Sequence, residues 1–429
     1  MKLPQFITNN LILKITSLNS VVVGFRLLIS LVVQNLLAQF TGQAGIAKVG
    51  QIRNLSEILS SLSSLGVFNG IVKYVSEYKS DEVGLKKLFS TVYVLSLLAT
   101  FILSLALFFG ATQLSVWLFF SEDFTFVFQL LAVTAPFIAM NRIFYGVISG
   151  LKAYKVNSKI EIIWYSLASI LLLFCLYSHN IEGVLFAIAI TPIIQFLITL
   201  LLFGKTLSEY INFKKLSFQT PMLKNLLGFT LISFVATVCY NFVQINLRTI
   251  ISNQISENEA GVWTAMSSIS KIYMQFLLTV FTIYILPKYA ELKFSIEFRT
   301  EIKKIYKTLL PLVISGMIVV FFAKEFLILK IYNEMFLGMT VLFKWHLMAD
   351  FIHFVANILS FKFLAKNEIN YFVFTQLFGL VFYYFVGQLL MVSFGVEGIV
   401  MGLFFSKIVY LLAVILILRH DLFGKNRPI

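Results

Sequence analysis

Charge is scarce in this chain. Lys, Arg, Asp and Glu make up 13% of its 429 residues, whereas about 25% is usual in soluble domains. Hydrophobic residues reach 59%, and the mean hydropathy is +0.90. A soluble fold of this length needs more polar side chains to cover its surface. The composition therefore indicates an integral membrane protein.

Cysteine and large polar segments are also scarce. The chain has two cysteines, Cys175 and Cys239, and both lie inside apolar runs. This usage excludes a disulfide framework or a cysteine-rich metal site, and we expect both to be packing residues. No loop is long enough to hold a soluble domain, and there is no nucleotide-binding loop and no Ser–His–Asp set. We therefore expect a protein that is not an enzyme, has no cofactor or metal, and uses no ATP-driven engine.

Apolar runs are abundant, and most are long enough to cross a bilayer, which takes about 20 residues in a helix. We predict an all-α integral membrane fold with about twelve transmembrane helices. The predicted spans are 10–38, 52–77, 87–112, 125–150, 157–178, 182–204, 223–251, 259–287, 304–324, 336–364, 370–393 and 396–418.

Basic residues gather in alternate loops of this twelve-span arrangement. They follow spans two, four, six, eight and ten and the last span, and the opposite loops carry few bases. Because Lys and Arg mark cytoplasmic loops, both termini are predicted to be cytoplasmic. The same asymmetry accounts for the net charge of +14 without a nucleic-acid partner, so the expected surroundings are a bacterial inner membrane.

The twelve spans divide into two halves at a polar, lysine-rich break. The prediction is an N-terminal six-helix bundle over 1–204, a cytoplasmic linker over 205–222, a C-terminal six-helix bundle over 223–418 and a cytoplasmic tail over 419–429. A weak internal repeat supports the division. Ala44-Gly45 lies before span two and Ala260-Gly261 lies at the start of span eight, and a Lys-Tyr pair lies at or near the end of both spans. Two similar bundles around a central cavity are typical of transporters.

Several basic side chains fall within predicted spans, where a charge costs about 2.5–3.5 kcal/mol at the bilayer centre. Arg26, Arg142, Lys271 and Lys407 lie at depth, against one central acid, Asp350. A net positive interior favours an anionic substrate such as a diphosphate, which Arg binds through its planar fork and Lys as a point charge. Each base could instead form an intramembrane ion pair or extend to the interface.

Two further bases, Lys73 and Arg248, are weaker candidates for binding the same substrate. Both lie near predicted helix ends. There a long basic side chain reaches the interface easily, so extension to the interface is the stronger alternative for these two.

Span ten carries a cluster of titratable groups. His346, Asp350 and His353 are spaced by four and three residues, which places them on one helix face. A carboxylate between two imidazoles can hold and release a proton in the physiological range. Proton coupling is one interpretation. The alternative is a structural set in which Asp350 neutralises one of the bases.

Three stretches carry a family resemblance: FNGIVKYVSEY at 68–78, GVWTAMSSISKIYMQFLLTVFTIYILPKY at 261–289, and WHLMAD at 345–350 leading to LAK at 364–366. Through them the chain resembles the Wzx-type O-antigen flippases, above all those for the lipid-linked enterobacterial common antigen unit. These belong to the multidrug/oligosaccharidyl-lipid/polysaccharide exporter superfamily. His346 and His353 depart from the pattern expected in the third stretch.

This resemblance implies two six-helix bundles around a central cationic cavity that opens alternately to each side. It implies an undecaprenyl-diphosphate-linked oligosaccharide as substrate, moved from the cytoplasmic to the periplasmic leaflet of the lipid bilayer. It also implies proton-coupled antiport and, as a partner, the polysaccharide polymerase machinery.

Three rival functions remain at this point. A multidrug or cation antiporter of the same superfamily predicts acidic residues in the cavity, which the basic excess disfavours. A flippase for the peptidoglycan precursor predicts extra spans. A membrane-embedded glycan polymerase or ligase predicts a large periplasmic loop that carries catalytic side chains, and the far-side loops here are short.

Overall fold

The computed structural model describes residues 11–211 and 216–429, and within them it contains helices and no β-strand, so the predicted all-α class is confirmed. In chain order the α-helices are α1 (Leu11–Ser63), α2 (Phe68–Glu77), α3 (Glu82–Phe109), α4 (Ala111–Phe119), α5 (Thr125–Gly150), α6 (Tyr154–Tyr210), α7 (Leu223–Ser233), α8 (Tyr240–Gln254), α9 (Glu257–Val280), α10 (Leu286–Glu291), α11 (Ser295–Phe322), α12 (Lys324–Ile331), α13 (Leu342–Ala365) and α14 (Ile369–Phe423).

Short π-helical segments join two pairs of these helices. Phe234–Cys239 connects α7 to α8, and Phe281–Ile285 connects α9 to α10. A 3-10 segment, Glu334–Val341, precedes α13. The hydrogen bonds of π-helical turns differ from the regular α-helical pattern. The predicted seventh and eighth spans therefore each contain one irregular stretch.

Three very long helices each contain a break. Gly42 in α1, Asn180 in α6 and Gly395 in α14 have φ values of 63°, 49° and 57°, so each helix is kinked sharply within one or two residues. These breaks fall where the sequence predicts turns between spans. Across the described residues, eight helices have the length and composition of membrane spans, and three of the eight contain such a break. The exact count of twelve spans stays a prediction.

The chain forms two compact units. Within the described residues, unit 1 comprises 11–41, 48–211 and 216–242, and unit 2 comprises 42–47 and 243–429. The division falls at the start of α8, whereas the sequence places the linker at 205–222, and six residues after the break in α1 join unit 2. The predicted domain limits stay a prediction. Residues 1–10, which include the predicted start of span one, and residues 212–215 of the predicted linker lie outside the described residues.

In unit 1 the segment after α6 is fixed to α3. Helix α6 continues to Tyr210, six residues beyond the predicted end of span six. Ser90 Oγ accepts a hydrogen bond from the Ser217 amide at 3.1 Å, and Thr91 Oγ1 accepts one from the Met222 amide at 3.1 Å. These hydroxyls satisfy backbone donors that the irregular segment cannot satisfy itself.

In unit 2, Gly261 permits a close backbone approach. A Cβ at this position would collide with the carbonyl group of Gln43. The Gln43 side chain donates through Nε2 to the Met335 carbonyl at 2.5 Å. The repeated Ala-Gly pair of the sequence thus has a packing role at its second copy, because only glycine leaves room for the segment that follows the break in α1.

The end of unit 2 where the chain terminates is held by a buried ionic network. Lys362 Nζ lies 2.7 Å from Asp421 Oδ2 and 3.1 Å from Glu368 Oε1. Arg427 Nη2 lies 2.7 Å from Asp421 Oδ1. The side chains of Lys362 and Asp421 are only 4% and 2% exposed. The tail also pairs with the start of α11, since the Ser295 amide donates to the Arg427 carbonyl at 2.9 Å.

This network generates a stability prediction. Asp421→Ala leaves the buried Lys362 ammonium with Glu368 as its remaining acid, and breaking a buried ion pair in this way costs about 3–5 kcal/mol. We expect a lower midpoint of thermal unfolding for the purified protein in detergent. The matched control is Glu291→Ala, which removes the exposed Lys288–Glu291 pair at 3.4 Å and costs about 0–1 kcal/mol. Equal midpoints for the two variants would contradict the assignment.

Gly261 generates a second prediction. Gly261→Ala introduces a methyl group against the Gln43 carbonyl, so we expect it to lower the thermal midpoint although alanine is the better helix former. The control is Gly316→Ala in α11, where an added Cβ meets no atom within 4 Å. That change should stabilise the helix by up to about 1 kcal/mol. A stabilising Gly261→Ala would refute the close approach.

Candidate functional site

Unit 1 places Arg26 beside an acid. Arg26 Nη1 in α1 lies 2.8 Å from Glu161 Oε2 in α6, and its guanidinium lies 5.0 Å from the centroid of the Tyr165 ring. The Glu161 side chain is 14% exposed and that of Arg26 is 38% exposed. Of the two alternatives for Arg26, the intramembrane ion pair is therefore the one observed.

Arg142 occupies a different environment on α5. Its guanidinium lies 4.2 Å from the centroid of the Phe68 ring, and that ring stacks on Tyr145 at 5.5 Å. Tyr145 in turn lies within electrostatic range of Arg26, Arg142 and Glu161. No carboxylate of the described residues lies within ion-pair distance of Arg142, although Glu57 acts on it from farther away. Arg26 and Arg142 thus share one neighbourhood.

Glu161 is a site residue that its position in the sequence pattern does not reveal, because Asp350 is the one acid near the centre of a predicted span. Glu161 is the fifth residue of the predicted fifth span, a position that suggests the interface. The structure places it against Arg26, so the interior of unit 1 is less positive than predicted. The sequence does contain a signal for this pair: one predicted span carries a base and another carries an acid. Because charged residues in membrane spans usually pair with one another, the two could have been predicted to meet.

Lys73, in the middle of the short helix α2, is exposed. Its ammonium lies 5.1 Å from the centroid of the adjacent Tyr74 ring. An exposed lysine can extend its ammonium toward water, which agrees with the interfacial alternative for this residue.

Unit 2 surrounds Asp350 with hydrogen-bond donors. Ser270 Oγ in α9 donates to Asp350 Oδ2 at 2.5 Å, and the Tyr273 hydroxyl donates to the same oxygen. His346 Nδ1 lies 3.2 Å from that oxygen. Asp350 is 6% exposed. A carboxylate with this many donors is stabilised in its charged form, and it ties α9 to α13.

His353 and Lys407 complete this cluster. Lys407 in α14 is partly buried and within electrostatic range of both Asp350 and His353. His353 Nε2 lies 3.3 Å from Asn357 Nδ2, and the His353 and Tyr410 ring centroids are 5.8 Å apart. The structure therefore brings the three predicted proton-coupling residues together. It also places Lys407 near them, a residue that the sequence predicts to bind the substrate.

Arg248 and Lys271, the two remaining candidate bases of unit 2, differ in burial. Arg248 is 2% exposed, donates through Nε to Thr264 Oγ1 at 2.7 Å, and lies 5.3 Å from the centroid of the Trp263 ring. The expectation that Arg248 extends to the interface is therefore wrong, because aromatic and hydroxyl groups hold it inside the unit. Lys271, next to buried Ser270, is exposed. That all six bases line one cavity stays a prediction.

Comparison with known proteins identifies relatives for this architecture. The model of a family described as polysaccharide biosynthesis proteins matches residues 12–293, more than half of the chain. The Lipid III flippases of Escherichia coli (strain K12) and Shigella flexneri are each 26% identical over 347 residues, covering 81% of this chain and 83% of the relative.

Solved structures establish the fold. An inward-facing multidrug resistance MATE family transporter of the MOP superfamily matches with a TM-score of 0.77 and 15% identity, covering 92% of this chain and 94% of that one. The Lipid II flippase MurJ, in an inward closed conformation, matches with a TM-score of 0.72 and 13% identity, covering 93% and 87%. The predicted all-α membrane fold is confirmed, and the structure shares it with these proteins.

The Arg26–Glu161 pair generates a prediction for unit 1. Arg26→Gln and Glu161→Gln should each lower the thermal midpoint, because each leaves a charge without its partner. The double variant should lose less than the sum of the two, with a coupling energy of roughly 0.5–3 kcal/mol. A double-mutant cycle measured in detergent tests this. Additive losses would mean that the two side chains do not interact.

Proposed function

Because this chain belongs to the polysaccharide biosynthesis protein family, we propose that it is a flippase for an undecaprenyl-diphosphate-linked oligosaccharide. The observation that carries this proposal is the similarity to the Lipid III flippases over most of both chains. The substrate would be an O-antigen or related surface polysaccharide unit. It moves from the cytoplasmic to the periplasmic leaflet by alternating access, and the chain acts as a transporter and not as an enzyme.

The proposed setting is the bacterial inner membrane, with both termini cytoplasmic. The alternation of basic loops supports this orientation. The end of unit 2 that holds Lys362, Asp421 and Arg427 is then cytoplasmic, and the end that holds the start of α13 is periplasmic. The polysaccharide polymerase machinery, which receives the flipped unit, is the proposed partner on that side.

The diphosphate is proposed to bind to basic side chains, first among them Arg142. Its guanidinium rests on Phe68 with no carboxylate of the described residues at ion-pair distance, so its donors are open to an anion. Arg26 can exchange Glu161 for a phosphate oxygen, because the pair is partly exposed and the guanidinium donors bind phosphate as well as carboxylate. Lys271, Lys73, Arg248 and Lys407 belong to the same proposal from sequence, and the burial of Arg248 makes it the weakest member.

The Asp350 cluster is proposed to couple the cycle to protons. A proton on Asp350 removes the charge that Ser270 Oγ and the Tyr273 hydroxyl now stabilise. The contact between α9 and α13 then weakens, and Lys407 loses a counter-charge. His346 and His353 supply the imidazoles through which a proton reaches or leaves the carboxylate. The arrangement supplies a titratable link between two helices, which is the kind of two-state element that coupling requires.

Transport of lipid-linked glycan is the first test of this proposal. The chain should restore surface glycan in a bacterial strain that lacks its O-antigen or common-antigen flippase. Arg142→Ala should lower the transport rate about tenfold, since a charge-assisted contact between a half-buried guanidinium and phosphate is worth about 1.4 kcal/mol or more. The control is Lys288→Ala, an exposed lysine at a helix end. Normal rates for Arg26→Ala, Arg142→Ala and Lys271→Ala together would overturn the cationic site.

Proton coupling has its own test. In vesicles that contain the purified protein, an imposed proton gradient should change the transport rate of the wild type and leave Asp350→Asn unaffected. Tyr273→Phe keeps the carboxylate but removes one donor, so its response to the gradient should shift along the pH axis and not disappear. If Asp350→Asn responds like the wild type, Asp350 has no part in coupling.

The rival antiporter function is separated by the same preparation. A multidrug or cation antiporter would move an organic cation in exchange for protons and would leave surface glycan unrestored in the complementation strain. Such a result would replace the proposed function. It would not change the fold, the Arg26–Glu161 pair or the Asp350 cluster.

A further inference from the structure

Unit 2 has an apolar groove on the side of α13 away from Asp350. The groove has a volume of about 620 Å³, within the range of ligand pockets. On α13, its lining residues fall in the 3.6-residue rhythm that marks one helix face, opposite the face of His346, Asp350 and His353. Its walls include Ile314, Ile318 and Phe322 of α11, Met348 and Ile352 of α13, and Phe404 of α14.

The groove has the depth of about one lipid leaflet. Its lining runs from 314 to 322 on α11 and from 344 to 352 on α13, which at 1.5 Å per residue is about 12 Å. Half of a hydrocarbon core is about 15 Å. The two helices are connected at the rim end, where α11 ends at Phe322 and α13 begins at Leu342. The opposite end of α11 is the one that pairs with the chain's tail.

Two lysines stand at this rim. Lys344 lines the groove, and its ammonium lies 2.9 Å from Glu397 Oε1. The Lys324 ammonium lies 4.4 Å from the centroid of Phe321, another lining residue. Glu397 is oriented by Trp345 Nε1 at 2.7 Å. Although the exposed Glu325 follows Lys324 in the chain, no carboxylate of the described residues lies within ion-pair distance of Lys324, so its ammonium is available to an anion.

Charge distinguishes this groove from a comparable one in unit 1. A groove of about 590 Å³ between α3 and α5 has no charged residue in its lining. It fits a hydrocarbon chain alone. The unit 2 groove combines a hydrocarbon channel with a cationic rim, and its rim tryptophan is typical of the membrane interface. An amphiphile with an apolar chain and an anionic headgroup satisfies both parts.

We propose that this groove binds the prenyl-diphosphate end of the delivered lipid in the periplasmic leaflet, with the chain between α11 and α13 and the diphosphate at Lys324 and Lys344. This inference rests on the proposed function for the identity of the lipid. A diphosphate carries more charge than the phosphodiester of a bilayer lipid, so it competes better with Glu397 for the two ammonium groups. The site would hold the product after crossing, while its glycan extends into water.

Photo-crosslinking tests the site directly. The full-length protein, with a photoreactive residue at Ile318 or at the control position Val319, is placed in phosphatidylcholine vesicles that contain undecaprenyl diphosphate. Both positions are exposed, at 51% and 65%, but only Ile318 lines the groove. Labelling by the prenyl lipid should be strong at 318 and weak at 319. Equal labelling would overturn the proposal.

Charge variants test the rim. Lys324→Gln with Lys344→Gln should lower labelling at 318 about tenfold, the equivalent of about 1.4 kcal/mol. Glu397→Gln should raise it, because the competing carboxylate is gone, and a variant that is merely misfolded does not gain labelling. Labelling that ignores both changes would overturn the headgroup assignment and with it the proposal. Equal labelling by phosphatidylglycerol in place of the prenyl lipid would assign the groove to ordinary anionic lipid and also overturn it.

Failure of this site and failure of the proposed function remain distinct. Labelling does not require transport, so a chain that labels at 318 but restores no surface glycan would keep the site and lose the flippase function. A chain that restores surface glycan but shows no preference for 318 would lose the site and keep the function.

Discussion

The cost of placing a charge in a medium without water governs this molecule. An ionised side chain in hydrocarbon is retained only where a partner or hydrogen-bond donors stabilise it. Glu161 neutralises Arg26, donors from two helices converge on Asp350, and Asp421 binds both Lys362 and Arg427. Each of these groups also joins helices that are distant in sequence. These buried and half-buried charges are thus contacts that fix how helices within a unit are arranged.

In unit 1, Arg142 differs from Arg26 because it has no ion-pair partner among the described residues, and this difference bears on substrate binding. It rests on an aromatic ring without a carboxylate of the described residues at ion-pair distance. An aromatic face stabilises a cation weakly compared with an anion, so the guanidinium retains most of its capacity to bind phosphate. In the proposed site, Arg26 must leave Glu161 before it can bind phosphate. Arg142 has no such carboxylate to leave and is therefore the stronger candidate for binding the diphosphate.

Much of the fold could be predicted from the sequence because apolar run length and loop charge are local properties. The turns at Gly42, Asn180 and Gly395 fall where the apolar runs end. Partners could not be predicted in the same way. Glu161 and Arg26 are 135 residues apart, and the donors Ser270 and Tyr273 are ordinary polar residues of a span until the fold brings them to Asp350. Arg248 was misjudged for the same reason, since only tertiary packing places Trp263 and Thr264 around it.

The breaks in α1, α6 and α14 have a mechanical consequence. In α6 and α14 the junction is one or two residues long, and the two sides come into close backbone contact, Gly183 with Cys175 and Gly398 with Leu390. We therefore expect the two sides of each junction to move together. The irregular π-helical stretches at Phe234–Cys239 and Phe281–Ile285 are joints of another kind, where a helix can bend without losing its path through the membrane. We therefore expect bending at the π-helical stretches and little bending at the short junctions in α6 and α14, which limits the ways in which the chain can change shape.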